Sequence, residues 1–350
     1  MSSPSGPVRA VVASIAVTAL LCTAACTSTT PSKAASSSPP TTSSVTPTPT
    51  PTKPPPKPAK NPFTGIGGVP RTSTIAVKID DTPPGRPQVG IDKADIVYIE
   101  EAEGGLTRLA AVFGTHKPAV GYVRSTRPSD PDLLLQFGKI TEAASGGGGT
   151  ALPLLDKSGI KGWINDRGAA YYSRVSRSSD YINLELDLAQ VAKKVKTAKP
   201  KPMGFQFTAA TAQLKGTGKG TDVRTRVGSQ QVEFKYSATL KKYVRYIDGV
   251  RQVANDGQPV ATTNVIVQQT KIVPYPQDTD VNGNPSQFTI TTGKGLVSVF
   301  RNGHRLDGTW QRAGLNGGTV LKTKSGKPIL LAPGNSWVAL VRTGVGTSGT

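Results

Sequence analysis

Between Thr27 and Lys60 the chain has no carboxylate and almost no large apolar side chain, so a folded core has to come from the roughly 290 residues that follow. The tract is built mainly from Pro, Ser, Thr and Lys, with Pro-Thr alternation over residues 46–52 and Lys-Pro steps after it. Such a segment cannot bury enough apolar surface to offset the entropy of ordering, and disorder is the expectation. Proline keeps it stretched: at about 3.1 Å per residue it spans on the order of 100 Å. Its lysines have the charge to rest on anionic lipid headgroups.

What precedes the tract reads as an export signal. Arg9 is the only charged side chain ahead of an apolar run, Ala10 to Ala25. That pattern fits a signal peptide, which needs a basic start, an apolar centre of about 7–15 residues and small residues before the cut. The run falls short of the about 20 apolar residues of a membrane span. Thr23-Ala24-Ala25-Cys26 makes Cys26 the candidate lipid-attachment cysteine, with Thr23 where a lipobox usually has Leu. Cys22 follows Leu21, where a small residue is needed. Cleavage at Cys26 leaves one acylated cysteine, and therefore no disulfide and no thiol for catalysis or metal binding. The protein is then exported and anchored to the outer face of the cytoplasmic membrane. An ordinary signal cut near Ala25 would make it secreted instead.

Charge is high and unevenly placed. The formal net charge is +20. Between Gln190 and Pro276 fifteen Lys or Arg face only Asp222, Glu233, Asp248 and Asp256. The opposite bias lies earlier, where Asp80, Asp81, Asp92, Asp95, Glu100, Glu101 and Glu103 crowd a stretch holding only Arg86 and Lys93. A basic surface attracts polyanions. Outside a cell these are teichoic acids, anionic lipids or other wall polymers rather than nucleic acid; the alternative is a merely solubilising surface.

The spacing of apolar residues sketches two folded parts: an α/β domain over residues 61–205 and a mostly β domain over residues 206–346, after a signal peptide over 1–26 and a tether over 27–60. In the first, residues 74–79, 95–99 and 106–113 read as strands. Pro131 to Phe137 reads as a short helix capped by Ser129 or Asp130 and closed by Gly138. Ser145 to Gly149 is a glycine run expected to be very flexible. Leu184, Leu188, Val191 and Val195 have helical spacing, which predicts a helix over 184–196. In the second part, strands over 223–227, 232–236, 243–247, 264–269, 287–291, 297–301, 319–322 and 337–341 alternate with turn signals such as Asp248-Gly249 and Asn302-Gly303. Short strands at this spacing predict a sandwich or barrel. Thr217-Gly-Lys-Gly220 recurs as Thr292-Gly-Lys-Gly295, which is too short to make a repeat.

Five ordered blocks carry a resemblance: Val77-Lys-Ile-Asp80-Asp, Arg86-Pro-Gln88-Val-Gly90, Ala94-Asp95-Ile-Val-Tyr98, Glu103-Gly-Gly-Leu-Thr-Arg108 and Val123-Arg124-Ser-Thr-Arg127-Pro128. Together they resemble the N-terminal domain of the YerB-like bacterial lipoproteins. Tyr243-Val-Arg245-Tyr, Asn264-Val-Ile-Val267, Gly293-Lys-Gly295, Asn302-Gly303-His-Arg-Leu-Asp-Gly308-Thr-Trp310 and Gly334-Asn-Ser-Trp337 resemble that family's C-terminal domain. The resemblance implies a two-domain, lipid-anchored envelope protein with a mixed α/β first domain, and no reaction, because the family is one of unknown function. Where relatives carry a histidine near the glycine run and another before an Asn, this chain has Ala144 or a neighbour, and Ile182 before Asn183.

Acid–base chemistry needs paired carboxylates or a tuned histidine. Asp80, Glu101 and Glu103 are the candidate catalytic carboxylates, with Glu101 and Glu103 on one face if strand-borne. Asp80, Arg86, Glu103, Arg108, Arg124 and Arg127 form the candidate ligand-binding set. Arginines can clamp an anionic substrate by bidentate contacts, or pair with these same acids in a structural network, the reading favoured by their similar abundance. Paired carboxylates facing an open cleft would mark an enzyme; carboxylates each covered by an arginine would not. Gly104 and Gly105 mark a turn rather than a phosphate cradle. His116 and His304 form no cluster, so a zinc site of His and Cys is not expected. Ser158-Gly-Ile-Lys161 matches a Ser-x-x-Lys motif without the companion Lys-Thr-Gly. Asp-x-Asp-x-Asp-Gly is absent. Trp163, Trp310 and Trp337 could stack on sugars, with core burial the expectation for Trp337. No metal or cofactor is expected. The sequence therefore points to a membrane-anchored binding protein for an anionic or glycan wall component, peptidoglycan included, or an accessory to wall-modifying enzymes. A carboxylate-dependent hydrolase of wall polymer and a protein–protein adaptor remain as alternatives.

Overall fold

One large sheet carries strands from both halves of the chain. The computed structural model describes residues 59–177, 181–215 and 217–349. The expected signal segment, Cys26 and the tether up to residue 58 lie outside the described residues. The strands of the sheet are β1 (Ile75–Asp80), β2 (Ile96–Glu101), β3 (Thr107–Phe113), β4 (Thr141–Ala144), β5 (Lys161–Ile164), β6 (Asn264–Thr270), β7 (Gly293–Arg301), β8 (His304–Arg312), β9 (Val320–Thr323) and β10 (Ser336–Arg342). Their order is β9-β8-β7-β6-β10-β2-β3-β1-β4-β5, with the short strand Gly218–Lys219 added to β8. The halves join where β2 runs parallel to β10, Ile96 opposite Ser336 through Ile99 opposite Ala339.

The central strands are buried on both faces, which explains their nearly continuous apolar sequences. On one face Ile75, Val77, Val97, Ile99, Leu109, Val265, Trp337 and Val341 share a core with Val223, Phe234 and Tyr243 of a second sheet. That sheet contains Asp222–Val227, Gln230–Ser237 and Lys242–Ile247 in antiparallel register. On the other face Ala76, Ile96, Tyr98, Val112, Ile266 and Leu340 pack with Leu133, Leu134, Phe137 and Leu155. The latter residues belong to, or lie next to, α1 (Asp130–Leu134) and α2 (Ala151–Ser158).

The α/β expectation for the first half needs correction: the architecture is largely β. Its helices are short, of 5, 8 and 7 residues, and its sheet mixes parallel and antiparallel neighbours. The helix expected over 184–196 divides. Leu184–Asp187 is a strand that buries Leu184 and Leu186 and turns Asp187 outward, and only Leu188–Lys194 is helical (α3). Leu184 and Leu188 satisfy a period of two as well as one of 3.6, which misled the spacing argument. Asp187 caps α3, accepting from the Gln190 backbone N–H at 3.1 Å. The glycine run is a packing device. A side chain at Gly148 would fall 1.8 Å from Asp278 Oδ1, and one at Gly146 would fall 2.1 Å from Asp166 Oδ2.

Charge is buried on both faces of this sheet. Asp81, immediately after β1, and Arg245 of the second sheet are both almost wholly buried. They form a bidentate pair at 2.8 and 2.7 Å. Thr107 Oγ1 donates to the same carboxylate at 2.8 Å, and the guanidinium lies 5.0 Å from the Trp337 ring centre. Burial works against the charge on Asp81, but Arg245 holds its carboxyl below the usual carboxylate range. On the opposite face Lys78, itself buried, donates to Glu100 and, at 3.0 Å, to Asp130. Glu142 of β4 completes this cluster, with no exposure and no hydrogen-bond partner for either oxygen among the described residues. Burial, with the charge of Asp130 next, pushes its carboxyl well above the ordinary range, so Glu142 is buried as a neutral acid. Burial likewise raises Glu100 to about 7, with Lys78 opposing.

Two outcomes follow from this distribution. Arg245→Ala removes the bidentate partner of the buried Asp81 carboxylate, leaving Arg86 at 3.9 Å as its remaining cation, and should cost about 3–5 kcal/mol in urea unfolding. Adding Asp81→Asn should recover part of that loss. Glu142 titrates in the other sense. A carboxyl whose pKa rises on folding stabilises the fold below its unfolded pKa. That contribution is lost as pH climbs to the folded value, at up to about 1.4 kcal/mol per pH unit. Glu142→Gln should therefore leave thermal stability near pH 4 little changed and raise it at pH 8. A variant destabilised equally at both would contradict a neutral Glu142.

Candidate functional site

A cleft of about 510 Å³ opens at the C-terminal end of β1, and five of the six expected ligand-binding residues line it: Asp80, Glu103, Arg108, Arg124 and Arg127. Strand register brings the first ones together. Asp80 ends β1 directly opposite Arg108 near the start of β3. Glu103 sits in the short turn between β2 and β3, where Gly104 and Gly105 adopt positive φ. Arg124 and Arg127 lie on the segment running into α1, which is held by Asp130. That carboxylate accepts from the Arg127 backbone N–H at 2.7 Å and from Thr126 Oγ1 at 3.2 Å. The buried charge cluster thus supports one wall of the cleft from beneath.

The arginines are used unequally. Arg127 is the most engaged, donating from Nη2 to Glu103 at 2.6 Å and from Nη1 to the Ser125 carbonyl at 2.8 Å, while its Nε lies 2.6 Å from Glu103 Oε1 without hydrogen-bond alignment. Ser286 Oγ also donates to Glu103, at 2.7 Å. Burial opposes the charge on Glu103, but Arg127 and Ser286 keep its carboxyl below the usual range. Arg108 donates to the Thr107 carbonyl and stands 3.8 Å from Asp80. Arg124 is looser. Its Nε lies 3.2 Å from Asp80 Oδ2 without hydrogen-bond alignment, and no described residue accepts from its terminal nitrogens. Its guanidinium lies 5.7 Å from the ring centre of Tyr181, a largely exposed side chain at the rim.

Two expected residues lie elsewhere. Arg86 does not line the cleft: it donates to the Asp81 carbonyl and stands 3.9 Å from that carboxylate. Glu101 is bound by Arg342 through two contacts of 2.8 Å, so it forms no catalytic pair with Glu103. Other residues prove uninvolved. Ser158, at the end of α2, donates to the Leu155 carbonyl and accepts from the Ile160 N–H, so its hydroxyl is occupied locally. Trp310 and Trp337 are core residues.

Sequence reasoning missed the other wall, a hairpin of Ile272–Thr279 and Pro285–Thr289 that contributes Asp278, Asp280, Asn282 and Ser286. Asp278-x-Asp280-x-Asn282-Gly283, the Asn form of the acidic loop pattern, was the available signal. Here Thr150 Oγ1 donates to Asp278 at 3.1 Å, and Asp280 accepts from the backbone N–H groups of Asn282 and Asn284. Among the described residues four acids and three arginines line the cleft, a balance the local charge bias did not reveal. Ile182, where the resemblance places a histidine, also lines it.

Comparison with known proteins agrees with this architecture. The family described as "Protein of unknown function (DUF3048) N-terminal domain" matches residues 63–201, and its C-terminal counterpart matches residues 222–338. "Putative lipoprotein YerB" of Bacillus subtilis (strain 168) is 28% identical over 297 residues, covering 81% of this chain and 86% of that protein. The crystal structure of the Bacillus subtilis YerB protein superposes with a TM-score of 0.69 at 25% identity, covering 83% of this chain and 99% of that one. Two family matches that together take in well over half the sequence, and a solved relative of the same fold, establish that the chain belongs to the DUF3048 family.

Proposed function

We propose that this is an envelope protein, exported by residues 1–26 and anchored through acylated Cys26, that uses the cleft to bind a wall component carrying both an anionic group and hydroxyl or amide groups. The name of the similar YerB protein supports the anchor. The observation that carries the binding reading is Arg124. It is the cleft cation without an aligned partner among the described residues, beside the exposed ring of Tyr181. A ligand carboxylate or phosphate meets the open edge of its guanidinium, where a paired, charge-assisted contact contributes most. Asp278, Asp280 and Glu103 offer acceptors to hydroxyl and amide donors along the rest of the ligand. Near charge balance in the lining favours such a mixed ligand over a pure polyanion. Glu103, held ionised by Arg127 and Ser286, is poorly suited to the protonated role of a general acid, which favours binding over hydrolysis.

The test uses the full-length chain in mild detergent with purified peptidoglycan. The protein should sediment with the polymer, and Arg124→Gln should weaken binding by about tenfold or more, the equivalent of about 1.5–3 kcal/mol for a hydrogen bond to a charged group. Circular dichroism should stay unchanged, because Arg108 still faces Asp80. Equal binding by the variant would remove the cleft from consideration. Release of soluble wall fragments that stops in Glu103→Gln would replace binding by hydrolysis.

A further inference from the structure

A second concavity, sharing no lining residue with the cleft, has a different electrostatic character. A groove of about 800 Å³ is lined by Lys215, Thr217, Tyr236, Lys241, Asn302 and His304, with Thr211, Leu214 and Ala238 at its margins. Among the described residues no Asp or Glu lines it. Lys215 and Lys241 come from the segment where cations outnumber acids most strongly, and both are exposed.

The wall between them is rigid and comes from two sequence motifs the cleft does not use, Thr217-Gly-Lys-Gly220 and Asn302-Gly303-His304. Their backbones are joined by Gly220 N–H donating to the Gly303 carbonyl at 2.8 Å. Tyr243 locks the same junction, its hydroxyl donating to the Gly220 carbonyl at 2.9 Å and accepting from Gly303 N–H at 3.1 Å. The ring of Tyr236 lies against Gly303, where a side chain would come within 3.2 Å of it. Lys241 and Asn302 occupy left-handed turn positions, with φ of 51° and 52°.

The tautomer of His304 follows from its neighbour. Thr217 Oγ1 donates its single proton to the Leu214 carbonyl at 2.8 Å. Its contact with His304 Nδ1, at 3.1 Å, therefore has the ring nitrogen as donor. The proton on Nδ1 is fixed, and Nε2 is the acceptor left to meet a ligand hydroxyl.

We propose that this groove binds phosphate esters of an anionic envelope component, with Lys215 and Lys241 supplying charge, His304 Nε2 a directed contact and Tyr236 a surface for the polyol or sugar between phosphates. A lining of two ammonium groups with no acid among the described residues favours a ligand carrying several phosphates, while the near charge balance of the cleft favours a single anionic group among neutral ones. The proposal does not rest on the cleft reading.

Two probes present phosphate in its two forms: a soluble synthetic glycerol-phosphate oligomer, and phosphatidylglycerol/phosphatidylcholine vesicles. Each would be titrated onto the full-length chain in mild detergent or reconstituted in matching vesicles, with an uncharged polyglycerol of equal length as control. The oligomer, the vesicles or both should bind, and the one that does names the source of the phosphate. Lys215→Gln with Lys241→Gln should weaken binding at least tenfold, His304→Gln several-fold, and raised salt should weaken the wild type more than the double variant. Lys324→Gln, at an exposed lysine that lines neither site, should bind these probes like the wild type, which separates the groove from the general positive charge of the surface. Binding that is equal in the double variant, equal for uncharged polyglycerol, or absent for both probes would overturn the proposal.

Discussion

The buried ion pair of Asp81 and Arg245 is the interaction on which the two halves of the molecule depend. Asp81 follows the strand that enters the cleft, and Arg245 belongs to the second sheet. Neither can return to water without opening the face where the sheets pack. A pair this deeply buried contributes less net stability than its short contacts suggest, because both charges had to be desolvated. Its larger effect is on register. A guanidinium that must meet a carboxylate through two parallel bonds tolerates little sliding of one sheet over the other. Thr107 and Gln88 bond the same carboxylate, so the turn after β1 and the start of β3 are fixed by the same contact that fixes the second sheet. The cleft is built from these elements.

Two concave sites then differ in how they treat charge. In the cleft, acids and arginines mostly neutralise one another, and Arg124 is left incompletely paired. In the groove around His304 no acid among the described residues stands against the lysines. On the two proposals, a ligand of mixed polarity suits the first and a phosphate-bearing one the second.

Much of this fold was legible. The β-branched and alternating runs of the second half gave most of its strands, because each is bounded by Gly, Asn or Asp turn chemistry that a single sequence displays. That Asp80, Glu103, Arg108, Arg124 and Arg127 lie close together was legible from their shared family blocks, and so was a pairing within the set such as Arg127 with Glu103. The partners of Glu101 and Asp81 were not. Glu101 is bound by an arginine 241 positions away and Asp81 by one 164 away, and local pattern holds no information about such partners. The Leu184–Asp187 strand was hidden because two periodicities shared the same leucines. The glycine run was read as loose because nothing local shows that Asp166 and Asp278 close over it.

The parallel pairing of β2 with β10 has a consequence for how the chain reaches its final form. β10 is the last of the sheet's strands in chain order, yet it lies in the middle, with β6 on one side and β2 on the other. Until β10 is in place, two apolar strands have bare edges facing each other, the condition that invites pairing with other chains. Strand order thus sets a timetable: whatever accompanies the growing chain must shield those edges until the last of these strands arrives, and loss of β10 would leave the sheet with a gap at its centre rather than a frayed margin.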